Sequence, residues 1–357
     1  LNSAPQTSPN RVSRRRRRLF AVAAIAIGLV ASFVVAEIAL RVYVASRGWT
    51  PNCYVTGLAF FVPHEQAGHT LRPNLRMRSF AYDVTTNSFG LRGPEIEPQK
   101  PGDTARIMVL GGSSVFGYLV PGQQDSCAEL QAILEHDQSL ADQSWEVLNA
   151  GVPGYNLTQS RLRYTSDLAA LQPDWVILYL GWNDSTTIIS PHPESIDRTP
   201  PPPPWWQRVM IHSVVYGLVT HRLLPNHAPK FAPPEDASTQ VTAAGVKRFR
   251  DDYQALIDAV QASGAKVIIS TQMMAGSPQC ERLDRYLGST PQQIQTNRQI
   301  ARSITETVRE LATVNHLPLI DIAADVPCDE TLLGDAIHLT RQGHRVVAAA
   351  WAEHWSR

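Results

Sequence analysis

The sequence predicts a doubly wound α/β domain, a parallel sheet with helices on both faces, preceded by one transmembrane helix. Three observations carry this reading. From about residue 105 to the carboxyl end, short β-branched runs alternate with segments of helical periodicity. The run DWVILYLG, Asp174 to Gly181, is apolar at nearly every position, as a strand buried on both faces must be. Near the amino end, Leu19 to Ala36 contains no charged residue.

A chain of 357 residues with 43% hydrophobic content has enough apolar mass for a sizeable core. That excludes a disulfide-stapled miniprotein, a coiled-coil rod and wholesale disorder. Lys plus Arg equals Asp plus Glu at 32 each, but the balance is uneven along the chain. Arg11, Arg14 to Arg18, Arg41 and Arg47 all precede residue 48, which leaves 24 basic against 31 acidic residues beyond it. A mildly acidic body argues against a nucleic-acid partner. Leu1 in place of a starting Met carries the expectation of a trimmed or alternatively started chain.

Taken in order, residues 1–18 form a basic tail expected in the cytoplasm. Five arginines, Arg14 to Arg18, run directly into the apolar stretch. Extended through Leu40 it has 22 residues, and a helix needs roughly 20 to cross about 30 Å of hydrocarbon. The basic cluster keeps its end in the cytoplasm, so the body is expected outside the inner membrane. The rival reading is a cleaved signal peptide, with an apolar region of about 7–15 residues and an A-x-A-like site. Here the run is longer and ends in AEIALRVY, which favours an uncleaved anchor at 19–40.

Residues 41–104, rich in Pro, Asn and Gly, read as an irregular approach segment with short strands around Ser79 to Thr86. The main domain spans 105–357. Its first strand is RIMVL, Arg106 to Leu110, followed by a helix near Cys127 to Leu134. WEVLNAG, Trp145 to Gly151, gives a second strand and Leu157 to Leu171 a second helix; DWVILYLG is the third strand. An insertion at about 185–240 contains the proline run of Thr199 to Trp206. A helix over Ala243 to Ala262 stops at Ser263-Gly264 before the strand Ala265 to Thr271. A helix from Gln292 to Val314, a strand at Leu317 to Ile322 and a helix from Thr340 to Trp355 complete the domain. Right-handed crossovers then give a parallel sheet with ligands beyond its carboxyl edge.

The cysteines are Cys53, Cys127, Cys280 and Cys328, an even number that in an exported domain permits two disulfides with three connectivities. Cys280 and Cys328 each follow a strand-like run, so their loops are the candidates to meet at one end of the sheet. No C-x-x-C occurs and the four lack the clustering of a zinc site.

Four loops after strands carry polar residues suited to chemistry. GGSSVFG, Gly111 to Gly117, presents a serine at a strand-to-helix turn, and no G-K-[ST] follows to make it a phosphate loop. NAGVPGYN, Asn149 to Asn156, contains Gly151, whose amide is a candidate for an oxyanion, with backbone geometry as the plainer explanation. GWND, Gly181 to Asp184, offers the Asn183 side chain as a donor or as a turn residue. DAIH, Asp335 to His338, places a carboxylate three residues before an imidazole, close enough to fix its tautomer.

Together these loops resemble the four blocks of the SGNH/GDSL hydrolase superfamily, which supply Ser, Gly, Asn and His in that order. The resemblance covers roughly residues 106–357 and matches Ser113, Gly151, Asn183, Asp335 and His338 to the family pattern. The upstream stretch TNSFGLRGPE, Thr86 to Glu95, looks like the lead-in of membrane-anchored members. One departure is visible: Gly112 and Ser114 stand where the G-D-S-L signature has Asp and Leu. This looks like a G-G-S-[ST] subgroup, with Ser114 as the rival to Ser113.

The resemblance implies acyl transfer. Ser113 is the expected nucleophile, His338 the base and Asp335 its support; the Ser113 and Gly151 amides and the Asn183 side chain are the expected oxyanion donors. No metal or organic cofactor is expected. The expected substrate is a small acyl ester, with an acetylated glycan as one candidate. The alternatives are an O-acyltransferase using the same residues and a non-catalytic glycan-binding or assembly protein. Asp184 is expected to orient its loop. His64, His69 and the other histidines outside the motif read as surface or loop residues, and His344 as structural. Trp205 and Trp206 admit a lid or a lipid-touching patch, with core packing of a short helix as the simplest account.

Overall fold

The computed structural model describes residues 14–46, 61–78, 83–118, 120–195, 205–210, 213–216, 219 and 240–355. Cys53, the strand start near Ser79, and much of the 185–240 insertion lie outside the described residues.

Five parallel strands form the central sheet: β5 (Thr104–Gly111), β6 (Ser144–Gly151), β7 (Trp175–Tyr179), β8 (Lys266–Ser270) and β9 (Leu319–Ile320), in the spatial order β6-β5-β7-β8-β9. Alternate residues of each strand feed two separate cores. Met108, Leu110, Val176 and Leu178 pack under the helices Ala243–Ala262 and Pro291–Val314. Ile107, Val109, Ile177 and Tyr179 pack under α3 (Ser126–His136) and the last helix, Arg341–Ala352. This period-two division over a doubly covered sheet is why the strands read as nearly continuous apolar runs. The chain order reverses at β5, so the loops after β5, β6 and β7 open side by side at the carboxyl edge.

The approach segment is more ordered than its composition suggested. It contains two antiparallel pairs, β1 (Phe61–His64) with β2 (Gly68–Leu71) and β3 (Arg76–Arg78) with β4 (Asp83–Thr85). Its later part belongs to the main domain: Arg92 bridges to Asn149 of β6, and the buried Arg106 of β5 donates to the Glu97 carbonyl at 2.9 Å.

The helix α1 (Arg14–Ser46) contains the 19–40 stretch and has a mean hydropathy of 2.7 over its most apolar 18 residues. It is long and apolar enough to cross a membrane, and a signal sequence would pass the same test. Cys280 and Cys328 form a disulfide, whereas Cys127 is a buried free thiol in the core beneath α3. Cys127 therefore takes no part in a second disulfide; it packs as a small apolar residue.

Candidate active site

The site is assembled at the carboxyl edge of β5, β6 and β7. β5 ends at Gly111, and α2 (Ser113–Phe116) begins two residues later. Only glycine fits at 111, because a Cβ there would lie 2.3 Å from the Val115 side chain and 2.6 Å from the Tyr179 carbonyl. A Cβ on Gly112 would come within 2.6 Å of the Asn183 amide nitrogen, so glycine at 112 leaves room for the Asn183 side chain where it stands. α2 ends on Gly117 in the left-handed region, φ 80°, which turns the chain back across the site.

The Ser113 hydroxyl lies 2.7 Å from Nε2 of His338, and Nδ1 of His338 lies 2.6 Å from Oδ2 of Asp335. Residues 225 apart in sequence are thus brought into one hydrogen-bonded chain. The other Asp335 oxygen accepts the amides of Ile337 and His338 at 3.0 and 2.9 Å. The carboxylate is therefore fixed before it meets the ring. With Asp335 accepting the Nδ1–H, Nε2 presents its lone pair to the hydroxyl. The 334–338 turn is closed by the Leu333↔Leu339 bridge and pinned to the loop after β8 by Ala275 N–H donating to the Ala336 carbonyl at 2.8 Å.

Ser114, the rival hydroxyl, is buried and donates to the Ile337 carbonyl at 2.8 Å. It braces α2 against the histidine turn. The Tyr118 ring lies 4.8 Å from the His338 ring, a contact between residues 220 apart that leaves no motif in the sequence.

Asn183 donates from Nδ2 to the Tyr155 carbonyl at 2.8 Å, which joins the loops after β6 and β7. Asp184 strengthens the same junction by accepting the Leu157 amide at 3.2 Å, in keeping with an orienting part. Gly151 departs from its expected place. Its amide is donated to Oδ1 of Asn149 at 3.0 Å, and a Cβ there would lie 2.3 Å from the Phe116 amide nitrogen. Gly151 therefore serves close packing against α2, and its N–H is already engaged. Gly154, three residues on, is exposed with φ +86° and lies next to Tyr155. A shallow cleft lined by Gly112, Ser113, Tyr155, Trp182, Asn183 and Gln272 marks the opening. A separate cleft over Arg92, Glu95, Gln131 and Glu146 includes none of these residues.

Two other expectations change. His69 is half-buried, packed edge-on between Phe61 and Tyr155, and the loss of water around its ring lowers its pKa to about 4 against a backbone bond to Pro153 that raises it. His64 bonds Asp167 at 2.8 Å and accepts the Ala67 amide at 2.9 Å, so it is a structural residue of the first hairpin.

A parallel five-stranded sheet with a seryl hydroxyl, an imidazole and a carboxylate in line at its carboxyl edge defines a serine hydrolase fold. The GDSL-like lipase/acylhydrolase family profile matches residues 109–346, and the chain belongs to that family. It is a serine hydrolase acting on ester bonds. Among solved structures, the chain is similar to the acetyl xylan esterase AlAXEase, with 21% identity, 70% of this chain and 98% of that chain covered, and a TM-score of 0.42. It is also similar to the lipase/acylhydrolase from Enterococcus faecalis, with 18% identity, 70% and 95% coverage and a TM-score of 0.42. A catalytic variant of Axe2, an acetylxylan esterase from Geobacillus stearothermophilus, gives 15% identity, 71% and 95% coverage and a TM-score of 0.43. Comparison with curated proteins finds no match.

Proposed function

We propose that this protein is a membrane-anchored esterase that hydrolyses small acyl esters through Ser113, His338 and Asp335. The observation that carries the reading is the continuous hydrogen-bonded chain from Ser113 through His338 to Asp335. In this mechanism Ser113 Oγ attacks the ester carbonyl and its proton passes to Nε2 of His338. The carbonyl oxygen becomes an anion as the C–O bond forms. His338 then returns the proton to the leaving alcohol, and water repeats the sequence on the acyl-serine to release the carboxylic acid. Asp335 keeps its place as acceptor of Nδ1–H and supports the imidazolium.

The oxyanion donors in this reading are the Ser113 amide and the Asn183 side chain. Because the Gly151 N–H is engaged, Gly154 takes its place as the third donor. Removing one such donor typically costs about 2.7–4 kcal/mol in barrier.

The anchor reading takes residues 19–40 as the membrane span, 1–18 as the cytoplasmic tail and the main domain as extracytoplasmic. It is supported by the arginine cluster at one end of α1 and the length of its uncharged run.

Fluorophosphonate labelling of the full chain tests the nucleophile. Wild type should label covalently, with Ser113→Ala unlabelled and His338→Ala strongly slowed. Equal labelling of wild type and Ser113→Ala would remove Ser113 from the mechanism, and labelling abolished by Ser114→Ala alone would transfer the role.

A further inference from the structure

We propose that the helix Trp205–Met210 and the turn at Ser213 to Val215 form a bilayer-contacting element, held beside the anchor by Glu37, with Trp205, Trp206 and Val209 seated in the lipid interface. The proposal rests on the membrane-spanning reading of α1.

The position of the interface is set by α1 itself. From Leu19 to Val35 its side chains face away from the protein, and cover begins at Ala36 and Glu37 and recurs on one side of the helix at Leu40 and Val44. The uncharged stretch Leu19 to Ala36 has 18 residues, about 27 Å of helix and close to the thickness of hydrocarbon. Contact with the body therefore starts where the apolar run stops. The body rests on the bilayer surface with no intervening stalk.

Glu37 stands at that level, and its carboxylate is filled by protein donors. It accepts the Ser213 hydroxyl at 2.8 Å, the amides of Val214 and Val215 at 3.0 Å each, and Nε of Arg41 at 2.7 Å. The two amides open a helical turn, so Glu37 acts as an N-cap supplied from a distant segment. Ser213 in turn donates its own amide to the Met210 carbonyl at 2.9 Å, which fastens the end of the Trp205–Met210 helix to the same point. A six-residue helix is about 9 Å long, so both tryptophans lie within about that distance of Met210, whose carbonyl is fastened to the latch.

The exposed surface there is apolar. Outside α1, the exposed large hydrophobic side chains among the described residues are seven in number, and four of them, Trp205, Trp206, Val209 and Val219, fall within fifteen consecutive positions. Trp205 is 77% exposed, which sets aside core packing as the account of this pair. Tryptophan is enriched where a bilayer meets water, because its ring is apolar and its N–H is polar. Continuity with α1 commits this surface to the lipid around the anchor.

The latch also reaches the ester site. Val214 and Val44 share one buried cluster with Phe116, Val152 and Tyr155. Phe116 lies in the same short helix as Ser113, and the Tyr155 carbonyl holds Asn183. The element that touches lipid and the loops that present the nucleophile are thus packed as one body.

The test uses the full chain reconstituted in phosphatidylcholine–phosphatidylglycerol liposomes whose acyl chains carry bromine at positions near the headgroup. Part of the wild-type tryptophan emission should be quenched, and that part should be lost in Trp205→Phe/Trp206→Phe. The other tryptophans remain in both proteins and cancel in the difference. Glu37→Ala should raise amide hydrogen exchange at Val214 and Val215 by about tenfold or more through loss of the cap. Hydrolysis of a soluble ester such as p-nitrophenyl acetate should be unchanged by the tryptophan pair. Equal quenching in wild type and the Phe pair, or cross-linked dimers that depend on Trp205 and Trp206, would overturn the proposal. Wild type that fails to float with liposomes overturns the membrane reading and this proposal together. Quenching does not depend on turnover, so failure of the esterase reading is recognised separately by absent hydrolysis.

Discussion

At the scale of single residues, the two adjacent serines show how position on one turn divides labour. Ser113 points its hydroxyl at an imidazole, while Ser114 is spent on the Ile337 carbonyl that carries that imidazole's turn. Asp335 shows the opposing forces on a supporting carboxylate. Burial pushes its pKa up, but hydrogen bonds from the His338 ring and from the Ile337 and His338 amides, with the His338 charge, outweigh it. The net pKa is below the ordinary 3.8. A depressed carboxyl stabilises the fold above its unfolded value, and that contribution is lost as pH falls through the lower folded value. Asp335 therefore remains an acceptor throughout the neutral range. Asp335→Asn would present an N–H where an acceptor is needed, and the imidazole would adopt the wrong tautomer. We expect kcat to fall by about 10⁴-fold, the size seen when the same change is made in a serine protease, with the unfolding midpoint little moved. A fall of less than about tenfold would mean that Asp335 does not set the tautomer.

At the scale of elements, the loop after α2 is held by an arginine from outside the sheet. Arg92 donates to the carbonyls of Phe116, Gly117 and Val120 at 2.6, 2.8 and 2.9 Å, and its guanidinium lies over the Phe116 ring. Its Nε is 3.3 Å from Asp125, which caps α3 and accepts from Asn149 of β6. Arg92 is thus a positioning residue for the loop that lays Tyr118 against His338. Arg92→Ala leaves a fully buried Asp125 whose pKa burial already raises and Arg92 lowers. Breaking such a pair costs about 3–5 kcal/mol, and Arg92→Lys restores charge without the fork that spans the carbonyls. We expect the denaturant midpoint to drop strongly for Ala and Lys alike, with Asp125→Asn recovering part of the loss in the Ala background. Unchanged midpoints would show that the cluster contributes nothing. The sequence made the sheet legible because β5 to β8 are apolar on both faces, and it made the hydrolase legible because four short motifs follow strands in fixed order. It did not reveal the β1–β2 pair, whose GHTL strand has no alternating pattern, and it gave the last strand as Leu317 to Ile322 where β9 pairs only over Leu319–Ile320. Nor did it reveal the true surroundings of Gly151. Its amide is engaged by a side chain only two residues back, but the Phe116 backbone that forbids a Cβ comes from 35 positions earlier. Long-range packing of that kind leaves no periodic trace.

At the scale of the whole molecule, the two helices that cover one face of the sheet, α3 and the last helix, are tied together at their amino ends by one histidine. His344 accepts the Ser126 amide at Nδ1 at 3.0 Å and lies 2.8 Å from the Ser126 hydroxyl, with its ring almost wholly buried. Burial first, and then the positive charges of Arg92 and His338, lower its pKa from 6.5 to about 3. His69, packed beside Tyr155, is lowered to about 4 chiefly by burial. For both groups the unfolded chain takes up a proton before the folded chain does. Between pH 6.5 and their folded values the unfolded state therefore binds more protons, and stability falls as pH falls. Each such histidine contributes a slope of at most about 1.4 kcal/mol per pH unit in that window. Urea unfolding of the full chain in detergent, repeated from pH 7.5 to 4.5, should show stability declining with acid. His344→Gln keeps a side-chain oxygen for the Ser126 amide but cannot be protonated, so its decline should be shallower by about one histidine's slope. Carboxylates titrate in wild type and variant alike and cancel in the comparison. Parallel slopes in the two proteins would show that His344 accepts a proton in the folded state as easily as in the unfolded one, and the burial that ties α3 to the last helix would not be the source of acid sensitivity.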